Sequence, residues 1–268
     1  MAAHIAGPLY YEQLGATGAP MMFLHSTPDD HRLWLYQTAH FSASYRAIAV
    51  DLGGYGRSPA VRPGVTLDDH ADACWEIIDR FTQGGAILHG NSFGSEVAMH
   101  MAQRQPQRTL ALILSGCGYI ETSEIFLTWA KRYREEGLAL RHAQVLDHFS
   151  PAGQESPLLR HYADMVVALN NSGTLASIIA NNEALAQRPA PSYLDGIAAP
   201  TLIIIGSLDR SKPRSPELQK RIKGSELVFI EGVGHACNIE APAAYDAHCI
   251  RFLGKHGLYP GAAQEAMR

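Results

Sequence analysis

Ala86-Ile87-Leu88-His89-Gly90-Asn91-Ser92-Phe93-Gly94-Ser95 reads as a short apolar strand, a tight turn and the start of a helix. The turn carries one serine with a glycine two residues away on each side, Gly90-x-Ser92-x-Gly94. This spacing suits a serine held at positive φ, because the flanking glycines lack the Cβ atoms that would collide in the crowded turn. Such strain lifts the hydroxyl above the sheet edge, and the following helix directs its positive N-terminal end at the same place. At a usage of roughly 7% for each residue type, a chain of this length holds on the order of 0.1 chance matches. The weight of the pattern therefore rests on the strand before it and the helix after it.

Working outward, the same alternation recurs. Residues 9–14 read as a strand closed by Gly15-Ala16-Thr17-Gly18, and Met21-Met22-Phe23-Leu24 is a continuous apolar run suited to burial on both faces. Residues 45–50 form a third strand, ending at Asp51 and the glycine-rich Gly53-Gly54-Tyr55-Gly56-Arg57-Ser58-Pro59. Thr66 and Asp69 resemble a capping box, and Ala71, Cys74, Trp75, Ile78 and Phe81 then share one helical face. After the serine turn, Val97, Ala98, Met101 and Ala102 mark a helix that stops before Pro106, and residues 110–114 form another buried strand.

From Tyr119 to about Arg188 only helical patterns occur, such as residues 125–133 and 158–169. Strands resume at 200–206 and 226–230, followed by a helix from about Ala241 to Leu253. Alternating strands and helices imply a mostly parallel sheet with helices on both faces. The expected organisation is an α/β core from 1–118 and 191–254, a helical insertion at 119–190, and a flexible tail at 255–268.

Composition narrows the function. The 268 residues are 46% hydrophobic, enough for a sizeable core. The net charge of −4 carries no basic excess, so nucleic acid is not an expected partner. No run of 18 apolar residues suggests a membrane span, and Met1-Ala2-Ala3-His4 lacks the features of a signal peptide. Cys74, Cys117, Cys237 and Cys249 are scattered without C-x-x-C spacing, as expected for free thiols in a cytoplasmic protein.

Ligands of open α/β sheets bind beyond the carboxyl ends of the strands. The residues at those ends include His25-Ser26-Thr27, Asp51, Ser92, Ser115-Gly116-Cys117, Ser207-Leu208-Asp209 and Gly232 to His235. Three of them form a chemical set. A serine is a poor nucleophile without a base, and a histidine base needs a carboxylate to fix its tautomer. Ser92, Asp209 and His235 supply these types, and no other acid follows a late strand.

These pieces resemble the α/β-hydrolase fold superfamily. Gly90-Asn91-Ser92-Phe93-Gly94 matches its nucleophile elbow. Asp51-Leu52-Gly53-Gly54-Tyr55-Gly56-Arg57-Ser58 matches the loop before the first long helix, Gly206-Ser207-Leu208-Asp209 the acid loop, and Gly234-His235 with Glu240-Ala241-Pro242 the histidine loop. The likeness runs from about Leu9 to Leu253, interrupted by the insertion. It implies an α/β-hydrolase fold with an inserted helical lid, Ser92 as nucleophile, Asp209 as orienting acid and His235 as base. It further implies an oxyanion hole from the N–H groups of Thr27 and Phe93. One departure is His25-Ser26-Thr27-Pro28, where many members have His-Gly.

The implied activity is cofactor-free hydrolysis of a small carboxylic ester or lactone. Residues 26–34 loosely resemble the same loop of enol-lactone hydrolases. Three alternatives share the residues: a carbon–carbon bond hydrolase, a cofactor-independent oxygenase (which Asp30-His31-Arg32 resembles), and a ligand-binding protein of the same fold. Fold alone does not choose among them.

Plainer readings stand beside these. Ser92 also suits a helix N-cap, and Asp209 a surface turn. His25 reads as a buried loop organiser, His89 as packed in the elbow strand, and Asp51 as a tie for the loop after it. Asp29-Asp30-His31 reads as a solvated loop. No H-x-x-x-H or paired Cys/His spacing occurs, so no metal is expected. Cys117 and Cys237 read as packed thiols near the pocket. Of the aromatics Trp34, Tyr119, Phe126, Trp129 and Tyr162, we take Tyr119 and Trp129 as the substrate-pocket candidates. Lys131, Arg132, Arg134 and Arg141 count as lid charges.

Overall fold

Each apolar run found in the sequence becomes a strand, and each amphipathic segment a helix. The computed structural model describes residues 4–5, 7–118, 124–187 and 189–260. In chain order the elements are β1 (Tyr11–Leu14), β2 (Pro20–Leu24), α1 (Leu35–Phe41), β3 (Arg46–Val50), α2 (Leu67–Asp79), β4 (Ala86–Asn91), α3 (Phe93–Arg104) and β5 (Thr109–Ser115). Then come α4 (Glu124–Glu136), α5 (Ala139–Leu146), α6 (Pro151–Gln154), α7 (Pro157–Val167) and α8 (Thr174–Ala186). The sheet closes with β6 (Thr201–Gly206), α9 (Ser215–Arg221), β7 (Glu226–Ile230), α10 (Cys237–Glu240) and α11 (Pro242–Lys255).

The strand order is β1-β3-β2-β4-β5-β6-β7, with β1 antiparallel to β3 and the remaining pairs parallel. Side chains alternate across the sheet. Met22, Leu24, Leu88, Leu112 and Ile203 therefore pack under Trp75 and the α2–α3 layer, whereas Met21, Phe23, Ile87, Ile113 and Leu202 pack against Phe41 of α1 and Tyr245 and Phe252 of α11. The chain leaves β2 toward β3 and returns to the other side of β2 as β4. This reversal opens a crevice beyond the ends of β2 and β4.

The capping box at α2 is complete: Asp69 N–H donates to Thr66 Oγ1 at 3.1 Å, and Thr66 N–H to Asp69 Oδ2 at 2.9 Å. Such a cap contributes about 1 kcal/mol. Helix α2 stops at Asp79, so Phe81 packs half-buried just beyond it.

Helices α4 to α8 lie between β5 and β6, and no strand interrupts them among the described residues. They are fastened to the sheet domain by buried polar contacts. Arg141 is fully buried rather than a lid surface charge: its Nε and Nη2 donate to the Pro28 carbonyl at 3.0 and 2.7 Å, and its Nη1 to Asn170. Asn181 of α8 donates to the Gly53 carbonyl at 2.9 Å and accepts from His70 Nε2 at 2.9 Å. Burial outweighs that hydrogen bond and draws the His70 pKa down to about 4.

His89 lies in β4, as its apolar neighbours predict, among Phe23, Trp34, Phe41 and Tyr245. Neither ring nitrogen has a partner among the described residues, and burial draws its pKa down to about 3. The expected tail needs correction at its start. Lys255 ends α11, and Leu258 and Tyr259 pack on the core, with Tyr45 O–H donating to the Leu258 carbonyl at 2.6 Å. Residues 261–268 lie outside the described part.

Candidate active site

Ser92 is the one described non-glycine residue at positive φ, with φ 52° and ψ −110°. The two glycines explain why the chain can reach that geometry. A Cβ on Gly90 would run into the backbone of Gly94 and Ser95, and one on Gly94 into the Leu24 carbonyl. Ser92 occupies the N-cap position of α3 yet makes no side-chain cap hydrogen bond. Its backbone is held instead: Ser92 N–H donates to the Ser115 carbonyl at 2.8 Å. Next to it, Asn91 Nδ2 donates to the His235 carbonyl at 3.1 Å, tying the elbow to the histidine loop.

Asp209 follows β6 and His235 follows β7, neighbours in the sheet. His235 Nδ1 lies 3.0 and 3.1 Å from the two Asp209 oxygens. An ionised carboxylate only accepts, so Nδ1 carries the proton and Nε2 is left for the pocket. Asp209 also accepts from Ser211 N–H and Oγ–H, each at 2.7 Å. Burial works to raise its pKa, but the His235 charge and these hydrogen bonds hold it down at about 2. For His235, burial works downward, and the Asp209 charge and hydrogen bond outweigh it, so the pKa lies above the ordinary histidine value. The surface-turn reading of Asp209 thus gives way to a buried carboxylate serving a histidine.

Ser92, His235 and Asp209 line one pocket of about 260 Å³ with Thr27, Phe93 and Cys117. Helix α4 contributes Phe126 and Trp129. Tyr119 lies outside the described residues. Trp34 is sealed beneath the sheet, and Tyr162 O–H donates to Asp29 Oδ1 at 2.9 Å. The Thr27 hydroxyl is hydrogen-bonded to Tyr55 O–H at 2.6 Å.

His25 and Asp51 organise the loops beneath, as read. His25 Nε2 accepts from Leu52 N–H at 2.9 Å, and its Nδ1 meets the Ser26 carbonyl at 2.8 Å. Asp51 accepts from His31 N–H and Arg57 N–H, both at 2.8 Å. The solvated reading of Asp29-Asp30-His31 is wrong, since all three are buried. Asp30, His31 and Asp51 place their donor atoms close together, but Asp30 grips Arg32 and the Asp51 carboxylate meets His31 Nδ1 at 2.7 Å.

Sequence reasoning missed two groups at the site. His148, between α5 and α6, lines the pocket with its ring 4.9 Å from that of His235. Glu240 accepts from Gly234 N–H at 2.8 Å and from Ser150, joining the insertion to the histidine loop. Nothing local flags His148, whose partner Asp29 is 119 positions away. The Glu240-Ala241-Pro242 motif alone assigns Glu240 no role.

Comparison with known proteins agrees with this architecture. A family profile described as alpha/beta hydrolase fold matches residues 19–242. The chain is 30% identical over 246 residues to the AB hydrolase superfamily protein YisY of Bacillus subtilis, covering 87% of this chain and 90% of that one. Among solved structures, the enol-lactonase of Burkholderia xenovorans superposes with a TM-score of 0.82 at 23% identity, covering 93% of this chain and 98% of that one. A thermophilic esterase of Thermogutta terrifontis superposes with a TM-score of 0.79 at 26% identity, covering 92% and 93%. No helix among the described residues is long and apolar enough to cross a membrane.

Proposed function

Because the chain belongs to the α/β-hydrolase fold family, we propose that it is a serine hydrolase of small carboxylic esters or lactones, with residues 119–190 as a lid over the core. One observation carries the reading. The strained Ser92 makes no cap hydrogen bond and shares a pocket with a histidine whose other nitrogen is held by a buried carboxylate. The similarity to an esterase and an enol-lactonase supports ester or lactone as the substrate class.

In the mechanism, Ser92 Oγ attacks the carbonyl carbon while His235 Nε2 takes its proton. Phe93 opens α3, where the first N–H groups lack helical acceptors, and its N–H together with that of Thr27 holds the developing oxyanion. His235 returns the proton to the leaving alkoxide. Water deprotonated by His235 then attacks the acyl-serine, and the acid leaves as Ser92 regains its proton. Asp209 stays ionised throughout and steadies the imidazolium.

A fluorophosphonate probe is expected to add one adduct to the wild-type protein, seen by intact mass, and none to Ser92→Ala. The kcat/KM for p-nitrophenyl acetate should rise with pH, since His235 is a base only when neutral. Its raised pKa puts the half-maximal rate above about pH 6.5. Active protein that leaves Ser92 unlabelled, or a rate that falls from pH 6 to 8, would sink this mechanism.

A further inference from the structure

The pocket wall includes His148, which with the buried Asp29 behind it forms a second histidine–carboxylate pair that the hydrolytic mechanism does not use. His148 Nδ1 lies 3.0 Å from Asp29 Oδ2. Asp29 is 1% exposed and also accepts from Ser26 Oγ–H and from Tyr162 O–H at 2.9 Å. Every contact it makes is with a donor, which fits the ionised form. Among those partners His148 is the nitrogen donor, with its Nδ1–H turned to the carboxylate. The His148 carbonyl accepts from Ala236 N–H at 3.0 Å, which fixes the ring beside His235. With Nδ1 turned to Asp29, Nε2 is the ring atom left to meet a ligand.

An arginine lines the same pocket. Arg214 is half-buried, and its Nε is buried without a hydrogen-bond partner among the described residues. Arg210 also lines the pocket, but its guanidinium is paired with Asp147. The pocket's own acids are engaged elsewhere: Asp209 with His235 and Ser211, and Glu96 with Tyr193 O–H at 3.2 Å. The site thus presents His148 Nε2 and the Arg214 guanidinium, with the pocket's acids already engaged, beside the apolar wall of Phe126 and Trp129.

We propose that His148 and Arg214 form a carboxylate subsite, so that the preferred substrate is an ester or lactone bearing a free carboxylate on a short hydrocarbon chain. Asp29 is the positioning residue that orients His148. This rests on the serine-hydrolase reading and narrows its substrate class.

The test compares monomethyl succinate, glutarate and adipate with their dimethyl esters. At one chain length the half-ester should have a kcat/KM at least tenfold above its diester. His148→Gln and, separately, Arg214→Gln should each bring that ratio down several-fold through KM for the half-ester, with Arg214→Lys restoring part of it. Arg214 is half-exposed, so its variants keep the test readable if His148→Gln unfolds. Diester turnover that depends on Ser92 without any half-ester preference overturns the subsite alone. A preference unchanged in the Arg214 and His148 variants overturns the assignment of these residues. Absence of Ser92-dependent turnover of every ester overturns the hydrolase reading, and the subsite with it.

Discussion

Ser92→Ala should lower ester turnover by on the order of 10⁵-fold, and Ser92→Gly should do the same while making the protein more stable. The two variants separate chemistry from strain. Both remove Oγ, the proposed attacking atom. Alanine keeps the Cβ that the backbone at φ 52° and ψ −110° crowds, so it inherits the strain. Glycine does not. A non-glycine residue in such a region costs about 1–3 kcal/mol. Glycine's greater freedom in the unfolded chain offsets roughly 0.5–1 kcal/mol of the relief. The net expectation is a gain of about 1 kcal/mol for Ser92→Gly over Ser92→Ala, read from urea unfolding alongside kcat. If Ser92→Ala kept activity within a hundredfold of wild type, Ser92 would not be the nucleophile. If Ser92→Gly proved less stable than Ser92→Ala, the strain assignment would be wrong.

Asp209→Asn should reduce kcat by about 10⁴-fold with a smaller effect on KM. The carboxylate now accepts from His235 Nδ1, Ser211 N–H and Ser211 Oγ–H. An asparagine has a single oxygen to offer those donors. If its amide nitrogen turns to His235, the ring must accept at Nδ1 and carry its proton on Nε2, where it cannot take one from Ser92. Burial, no longer opposed by a charge, would also shift the pH midpoint of any residual activity downward. Activity within tenfold of wild type, or an unmoved midpoint, would remove Asp209 from the proposed mechanism.

What the sequence disclosed was whatever is written locally. Met21 to Leu24 could only be a strand buried on both faces, and the glycines at 90 and 94 declared a crowded serine turn two residues from each. Thr66 and Asp69 showed their cap because both partners lie within one turn. Asp29-Asp30-His31 misled for the opposite reason. Three polar neighbours look solvated until their distant partners arrive: His148 and Tyr162 from the insertion on Asp29, and Asp51 from the end of β3 on His31. Arg141 misled in the same way, because its acceptor, the Pro28 carbonyl, is 113 positions away. The elements and the Ser-Asp-His order were therefore readable, while the polar joints between insertion and core were not.

The unpartnered His89 under the sheet has a consequence in proton uptake. Histidine in the unfolded chain titrates near about 6.5. Native His89 holds out to about 3 and His70 to about 4. As pH falls below about 6.5, the unfolded chain therefore binds protons that the folded one refuses. By linkage, each histidine then subtracts up to about 1.4 kcal/mol of stability per pH unit, until the pH reaches its native pKa. His89→Leu should remove one share of that slope, so that the fall in urea midpoint between pH 7 and pH 5 becomes smaller than in the wild type. An unchanged fall would locate the proton uptake elsewhere. Part of the acid response of this protein is thus expected from two buried imidazoles on opposite faces of its sheet, neither of which lines the pocket of Ser92.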